Sequence, residues 1–352
     1  MRQTHSKLCF GLLIACVVLC ASAGPVFAAM VSAPAAGAGS AVLVLDGTPT
    51  GTLSSLSGGA ITAEVLTAKT PGNYPPKQLG SLDYEPITFV VGLDRLSSSL
   101  RGWIADAWSA SQKPKNGSVV FSDGAGKAVS ELQFVGAVIS EVSIPFCDGT
   151  SHAYPEVSVV ITSRATRQAP PTQTTGYRRM GYSLEYSSFF ILHIDGLDCK
   201  GVIRIEQFTV QQPAVIVKVE DDKGVVIRLP QPSKANFPNL KITLRENWAQ
   251  SWRDWANDFL IKGKSEQSSR KNGYLSFFAD KNLSGEIARI NLYNLGICRL
   301  GPVPVEGNGE GVGKLVAEIY CERMEFCSPG TAAPASGTSA PPPTGTRPIG
   351  TR

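Results

Sequence analysis

The chain repeats itself, and that repeat limits its folds more than any other feature. Ser99-Leu100-Arg101-Gly102-Trp103-Ile104-Ala105-Asp106 lies opposite Ser251-Trp252-Arg253-Asp254-Trp255-Ala256-Asn257-Asp258, with Ser, Arg, Trp and Asp coinciding. Upstream, Leu43-Val44-Leu45-Asp46-Gly47 matches Leu192-His193-Ile194-Asp195-Gly196. Downstream, Lys115-Asn116-Gly117 matches Lys271-Asn272-Gly273, followed by Phe121 against Phe277 and Glu131 against Glu286. Four blocks in one order, with separations that drift as loop insertions would make them, point to a duplicated domain. The 352 residues also exceed the ~100–200 of one ordinary domain.

Each copy reads as strands around one helix. An alternating strand ends in Asp-Gly, a pair suited to φ > 0 and a tight reversal. β-rich runs follow, at Gly201–Val210, Ala214–Val219, Pro86–Gly92 and Pro238–Leu244. An amphipathic helix comes next, with Ser99 or Ser251 placed to cap it. Its apolar face is Leu100, Trp103 and Ala107 in one copy and Trp252, Trp255 and Phe259 in the other, with the tryptophans read as core anchors. Arg101 and Arg253 are expected to make a local salt bridge or carbonyl contact, an inter-subunit contact being the other reading. Closing strands fall near Val119–Ser122, Glu131–Ile144 and Glu156–Ser163. The fold class is mainly β (α+β): two tandem β-barrel or sandwich domains, each with one helix on its side.

The expected organisation is a leader at 1–28, a short linker at 29–40, copy 1 at 41–165, a linker at 166–185, copy 2 at 186–327 and a tail at 328–352. The leader has basic Arg2 and Lys7, the apolar run Leu8–Leu19, and Val26-Phe27-Ala28 before a cut at Ala29; Ala21-Ser22-Ala23 is a second candidate cut. About a dozen apolar residues are too few to span a bilayer, which needs ~20. Export is therefore expected, with lipidation at Cys16 through Leu13-Ile14-Ala15-Cys16 as the competing fate. The tail is almost all Pro, Ala, Thr, Gly and Ser, a composition expected to stay disordered. Beyond the leader stand Cys147, Cys199, Cys298, Cys321 and Cys327, an odd number that an exported chain can oxidise. Cys298 and Cys321 flank an expected hairpin and are the candidate pair.

Catalytic motifs do not emerge. The net charge is +4, two of the positive charges lie in the leader, and neither a nucleic-acid footprint nor a polybasic membrane contact is expected. His152 and His193 have no ligand cluster at metal spacing, and no Gly-x-Ser-x-Gly elbow occurs. The run Gly307–Leu315 has Asn308 where a phosphate loop needs glycine and Leu315 where it needs Ser or Thr. With strands on both sides it reads as a hairpin tip, as does Gly124-Ala125-Gly126-Lys127. Asp195-Gly196-Leu197-Asp198 lacks calcium-loop spacing and reads as a turn. No catalytic residue, metal site or cofactor is assigned. Glu131 and Glu286, placed as counterparts, are read as structural.

Taken together, the strand ending in Asp-Gly, the stretch Leu79–Phe89 leading through Gly92 to the Trp103 helix, Asn239–Leu244 before Trp255, and the closing strands with Glu156 or Glu318 carry a resemblance. Both copies resemble the tail-tube proteins of contractile phages and related injection systems, over nearly all of residues 41–327. The second copy has no glycine matching Gly92. The resemblance implies two small β-barrel or sandwich units and subunits that assemble into hexameric rings through sheet edges. Two fused copies would let three chains make a pseudo-hexamer. Tubes of that family assemble in the cytoplasm, so with a leader present only the fold and self-association carry over. The expected function is a non-enzymatic exported structural protein forming rings or short tubes. The alternative is a monomeric secreted or surface module whose loops bind a glycan or protein.

Overall fold

The computed structural model describes residues 39–68, 74–149, 154–173, 176–177, 189–220, 226–280, 282–304 and 313–332. The leader, His152, most of the Gly307–Leu315 run and the last twenty residues lie outside them. Mostly strand, with two α-helices among the described residues, the chain is a β protein built on a nearly closed barrel.

Copy 1 comprises β1 (Ser40–Leu45), β2 (Thr48–Leu53), β3 (Ser55–Gly58), β4 (Ile61–Thr67), β5 (Lys77–Tyr84), β6 (Ile87–Gly92), α1 (Ser98–Trp108), β7 (Lys115–Ser122), β8 (Ala128–Ile144), β9 (Cys147–Asp148), β10 (Glu156–Thr162) and β11 (Ala165–Ala169). Copy 2 comprises β12 (Phe189–Ile194), β13 (Val202–Ile205), β14 (Phe208–Gln211), β15 (Ala214–Glu220), β16 (Val226–Pro232), β17 (Leu240–Arg245), α2 (Gln250–Ala256), β18 (Lys271–Phe278), β19 (Glu286–Pro302) and β20 (Lys314–Cys327). The core sheets run β2-β1-β7-β8-β10-β6-β3 and β12-β18-β19-β20-β17-β13, with β4–β5 and β15–β16 as separate two-stranded arms. Residues 165–169, assigned mostly to the linker by composition, pair with β8 as β11.

Registers show how closely the copies correspond. Lys115 pairs with Ala137 and Gly117 with Phe134; Lys271 pairs with Leu295 and Gly273 with Leu292. Between these pairs each long strand bulges at a residue of positive φ, Gly136 (φ 59) in β8 and Asn294 (φ 53) in β19. The Asn of the Lys-Asn-Gly motif holds the bulge. Asn116 Oδ1 accepts the Gly136 N–H at 2.8 Å, and Asn272 Oδ1 accepts the Asn294 N–H at 3.0 Å. The Asn carbonyls take the N–H groups of Asp46 (3.0 Å) and Asp195 (2.9 Å), so the Asp-Gly turn closes on the same corner. A Cβ on Gly117 or Gly273 would lie 2.4 or 2.2 Å from the carbonyl oxygen of Val44 or His193. The repeated letters are thus one corner built twice.

The helices depart from expectation at their caps. Ser97, not Ser99, caps α1, its side chain accepting the Leu100 N–H at 3.2 Å; three serines in a row made the position ambiguous. α2 has no side-chain cap, and Ser251 Oγ instead accepts the Asp198 N–H at 2.9 Å. Leu100, Trp103, Ala107, Trp252, Trp255 and Phe259 are all buried. In copy 2 the deeper anchor is Trp252, whose Nε1 donates to the Asp198 carbonyl at 2.9 Å.

Two further pairings are corrected. Phe121 sits opposite Ser130 and Phe277 opposite Ala288, so Glu131 corresponds to Arg289, and Glu286 to Ala128. Cys298 and Cys321 do not bridge, because Cys298 is exposed near the Glu318 carbonyl while Cys321 is buried and bonds the Arg323 carbonyl at 2.9 Å. All five cysteines are free thiols.

One apolar cluster runs through both copies, from Leu43 and Phe89 to Ile290 and Phe326. Trp103→Ala and Trp252→Ala should each cost ~3–5 kcal/mol, and denaturant titration should show both copies lost in one transition. A variant with the wild-type midpoint would contradict the anchor role. Asn272 is buried and Asn116 exposed, so Asn272→Ala should destabilise more than Asn116→Ala, by about 1–3 kcal/mol for a buried N–H left unpaired.

Candidate functional site: the junction between the copies

The glycine runs and carboxylates take structural places. Gly124–Lys127 is the tip between β7 and β8, where Asp123 Oδ1 accepts the Ala125 and Lys127 N–H groups at 3.0 and 2.9 Å. Of the Gly307–Leu315 run, residues 307–312 lie outside the described residues, and Lys314 and Leu315 open β20. Asp195–Asp198 is a turn closed by Leu197 N–H to the Ile194 carbonyl at 3.0 Å. His193 lies in β12, stacked on Tyr274 and 3.4 Å from Asp195. Glu131 and Glu286 both hold chain leaving a closing strand. Glu131 accepts the Thr172 N–H and hydroxyl at 3.0 Å, and Glu286 accepts the Gly330 N–H at 2.7 Å. Burial works to raise both carboxyl pKa values, but the accepted hydrogen bonds outweigh it and the net shift is downward. Among the described residues no three His, Cys, Asp or Glu side chains gather as a metal set.

What the repeat leaves unexplained is how the copies meet. β7 begins at Lys115, opposite Ala137, so among the described residues the β8 edge beyond that point has no strand partner from copy 1. Copy 2 supplies one. β14 pairs antiparallel there, Phe208 with Ile144, Thr209 with Ser143, Val210 with Val142 and Gln211 with Glu141. The hydroxyls of Ser143 and Thr209 are 2.8 Å apart, and the Gln212 N–H donates to the Ser140 carbonyl at 2.8 Å. The exchange is mutual: β9 leaves copy 1 and pairs with β13, Cys147 opposite Ile205 and Asp148 opposite Arg204.

Side chains reinforce the ladders. Gln112 Nε2 donates to Gln212 Oε1 at 2.9 Å, while its amide also bonds both backbone groups of Ile139. Trp108, at the end of α1, meets Phe326 and Phe237 edge-on at centroid distances of 5.6 and 6.2 Å. Arg101 holds the Leu96 carbonyl at 2.8 Å and the Leu93 carbonyl at 3.3 Å, and donates across the junction to the Ile287 carbonyl. Burial lowers its pKa, partly offset by Asp94. The carbonyl contact expected of this residue is present, and the added bond to Ile287 joins the two copies within one chain. Its counterpart Arg253 stays local, paired with Glu246 at 2.6 Å.

The contact is head to tail. Copy 1 contributes the outer face of α1 and the far end of β8; copy 2 contributes β13, β14 and the end of β20. Different surfaces meet, as in a heterologous interface. Sequence reasoning missed this junction, although the apolar Val210 and Ile144 at strand ends were a signal.

Comparison with solved structures returns alignments that each cover part of this chain. A chain of an extracellular contractile injection system PVC sheath–tube complex in the extended state aligns at 15% identity and TM-score 0.34, covering 37% of this chain and 88% of that one. A chain of the anti-feeding prophage tube-terminating cap aligns at 16% identity and TM-score 0.34, covering 39% and 91%. Hcp1 from Flavobacterium johnsoniae aligns at 16% identity and TM-score 0.25, covering 38% and 96%. No family model matches the sequence. No curated protein matches it either.

The junction can be probed through its thiols. Burial pushes the Cys147 thiol pKa up, and β9 seals that thiol against copy 2, whereas Cys298 is exposed. A thiol reagent at neutral pH should label Cys298 in the native protein and Cys147 only once the copies separate. Peptide mapping after timed labelling reads this directly, and native labelling of Cys147 would show that the junction opens freely.

Proposed function

We propose that this protein is a non-enzymatic structural subunit that assembles by itself, with three two-copy chains closing a ring of six units. The observation that carries the reading is the head-to-tail junction. A heterologous contact buries one surface of each copy and leaves the complementary surface of each unused, so the tandem ends in two unlike faces that fit each other. Such contacts either close into rings or run on as filaments. The sequence resemblance to tube subunits supports closure at six copies.

Exposed strand edges and apolar side chains agree with an assembling role. The two arms, β4–β5 and β15–β16, expose Ile61, Val65, Leu79, Val215, Val217 and Val219. They lie side by side, joined by Arg228 with Asp83 and with the Leu82 carbonyl. Burying such surface is worth roughly 25 cal/mol per Å², and an exposed strand edge invites pairing with another chain. We further propose export, from the basic–apolar–small pattern of residues 1–28, so that assembly takes place outside the cytoplasm.

Multi-angle light scattering of residues 29–352, with negative-stain microscopy of the same sample, tests the reading. The expected result is the mass of three chains and six-lobed particles. A monomer across a wide concentration range would overturn it in favour of a binding module on the same scaffold.

A further inference from the structure

The structure assigns the contact between chains to specific strands: Gly59–Thr62 of one chain adds antiparallel to Arg299–Pro302 of a second copy of the chain, with Ile61 opposite Leu300. This rests on the self-assembly reading and specifies the surface that performs it.

The assignment follows from the two registers of the repeat. On the donor side, Leu56 pairs with Phe89 and Ile205 pairs with Ile242, making Leu56 and Ile205 counterparts. Beyond them, Thr62 pairs with Asp83, and Gln211 bridges to Asn236, so the alignment holds without insertion up to Thr62 and Gln211. Gly59–Thr62 is therefore the copy-1 equivalent of β14. On the acceptor side, Val142 pairs with Val159 and Leu300 with Ala317, and both long strands carry a second irregularity just before, at Ser140 and Cys298. Arg299–Pro302 is therefore the copy-2 equivalent of the β8 segment that receives β14. Among the described residues, β18 ends its pairing at Leu295 and no strand occupies the β19 edge beyond it.

Exposure follows the same correspondence. Val210 is 1% exposed inside the junction, and its counterpart Ile61 is 52% exposed. Trp108 is 4% exposed, while Leu260 at the equivalent place after α2 is 43% exposed. Arg101 reaches the Ile287 carbonyl; the equivalent acceptor for Arg253 is Val129, which is 55% exposed. Ile61, Leu260 and Val129 are thus exposed twins of residues engaged at the internal junction, whereas Leu300, the twin of Val142, is half-buried and Gly59, the twin of Phe208, has no side chain. The match is not uniform. Tyr84 replaces Phe237, and Gln168 replaces Phe326, so the helix contact is thinner between chains and the strand ladder is its main component.

The test pairs Ile61→Cys with Leu300→Cys in one chain carrying Cys298→Ser, which removes the exposed neighbouring thiol. Directly opposed strand residues have Cβ atoms ~4.5–5.5 Å apart, close enough to form a disulfide under mild oxidation. Denaturing non-reducing electrophoresis should show most of the chain as two- and three-chain species. Each single cysteine variant should run as single chains on the same denaturing gel. An assembly of the right mass by light scattering that yields no cross-link would overturn this register while leaving self-assembly intact. A monomer by light scattering would overturn both. Covalent species extending past three chains would uphold the contact and overturn closure at three.

Discussion

An unpaired edge on a long strand governs this structure. β8 runs well past the start of β7, and its last residues include Val142 and Ile144, both buried. Main-chain groups on such an edge need partners, since a buried amide without one costs about 1–3 kcal/mol. Copy 2 answers with β14, and copy 1 returns β9 to β13. Neither copy is complete alone. The continuous apolar cluster, the Gln112–Gln212 bond and the position of Trp108 all depend on that exchange.

Within each copy, a corner made by Lys-Asn-Gly and Asp-Gly determines where the long strand bulges. A bulge adds one residue on one side and sharpens the local twist. Gly136 takes the left-handed conformation without a Cβ, whereas Asn294 does so as one of the few side chains that tolerate it. Asn294 also donates to Glu322 at 2.8 Å, which holds it against β20. The divergence between Gly136 and Asn294 leaves the backbone course alike, which is why the registers can be laid over one another residue by residue.

Much of this fold is legible in sequence, because duplicated turns and anchors keep their letters. The Asp-Gly reversals, the buried tryptophans and the glycine hairpin tip at Gly124–Lys127 all follow from local chemistry. The misplacements share a physical cause. Ser99 and Ser97 differ only in where the chain turns into helix, and Glu131 and Glu286 only in the lengths of the hairpins before them. Cys298 and Cys321 are close in the hairpin but differ in whether their side chains are exposed or buried. The junction was not legible, since strand pairing across more than fifty residues leaves no periodic trace, and half of each pairing belongs to the other copy. The leader and residues 333–352 of the tail, both read from composition, fall outside the described residues, while Ser328–Ala332 are described, with the Gly330 N–H held by Glu286.

Fusion changes the kinetics of joining. At the internal junction β14 meets β8 within one chain, so that encounter is governed by an effective concentration set by the tether, which is independent of how dilute the protein is. An otherwise identical pair of separate copies would form that contact only as fast as collisions allowed. The strand exchange at β9 and β14 is therefore already made when the chain has folded, and any larger assembly starts from pairs. Dilution can then act only on contacts between chains, which makes the fused pair the smallest unit into which an assembly can fall apart.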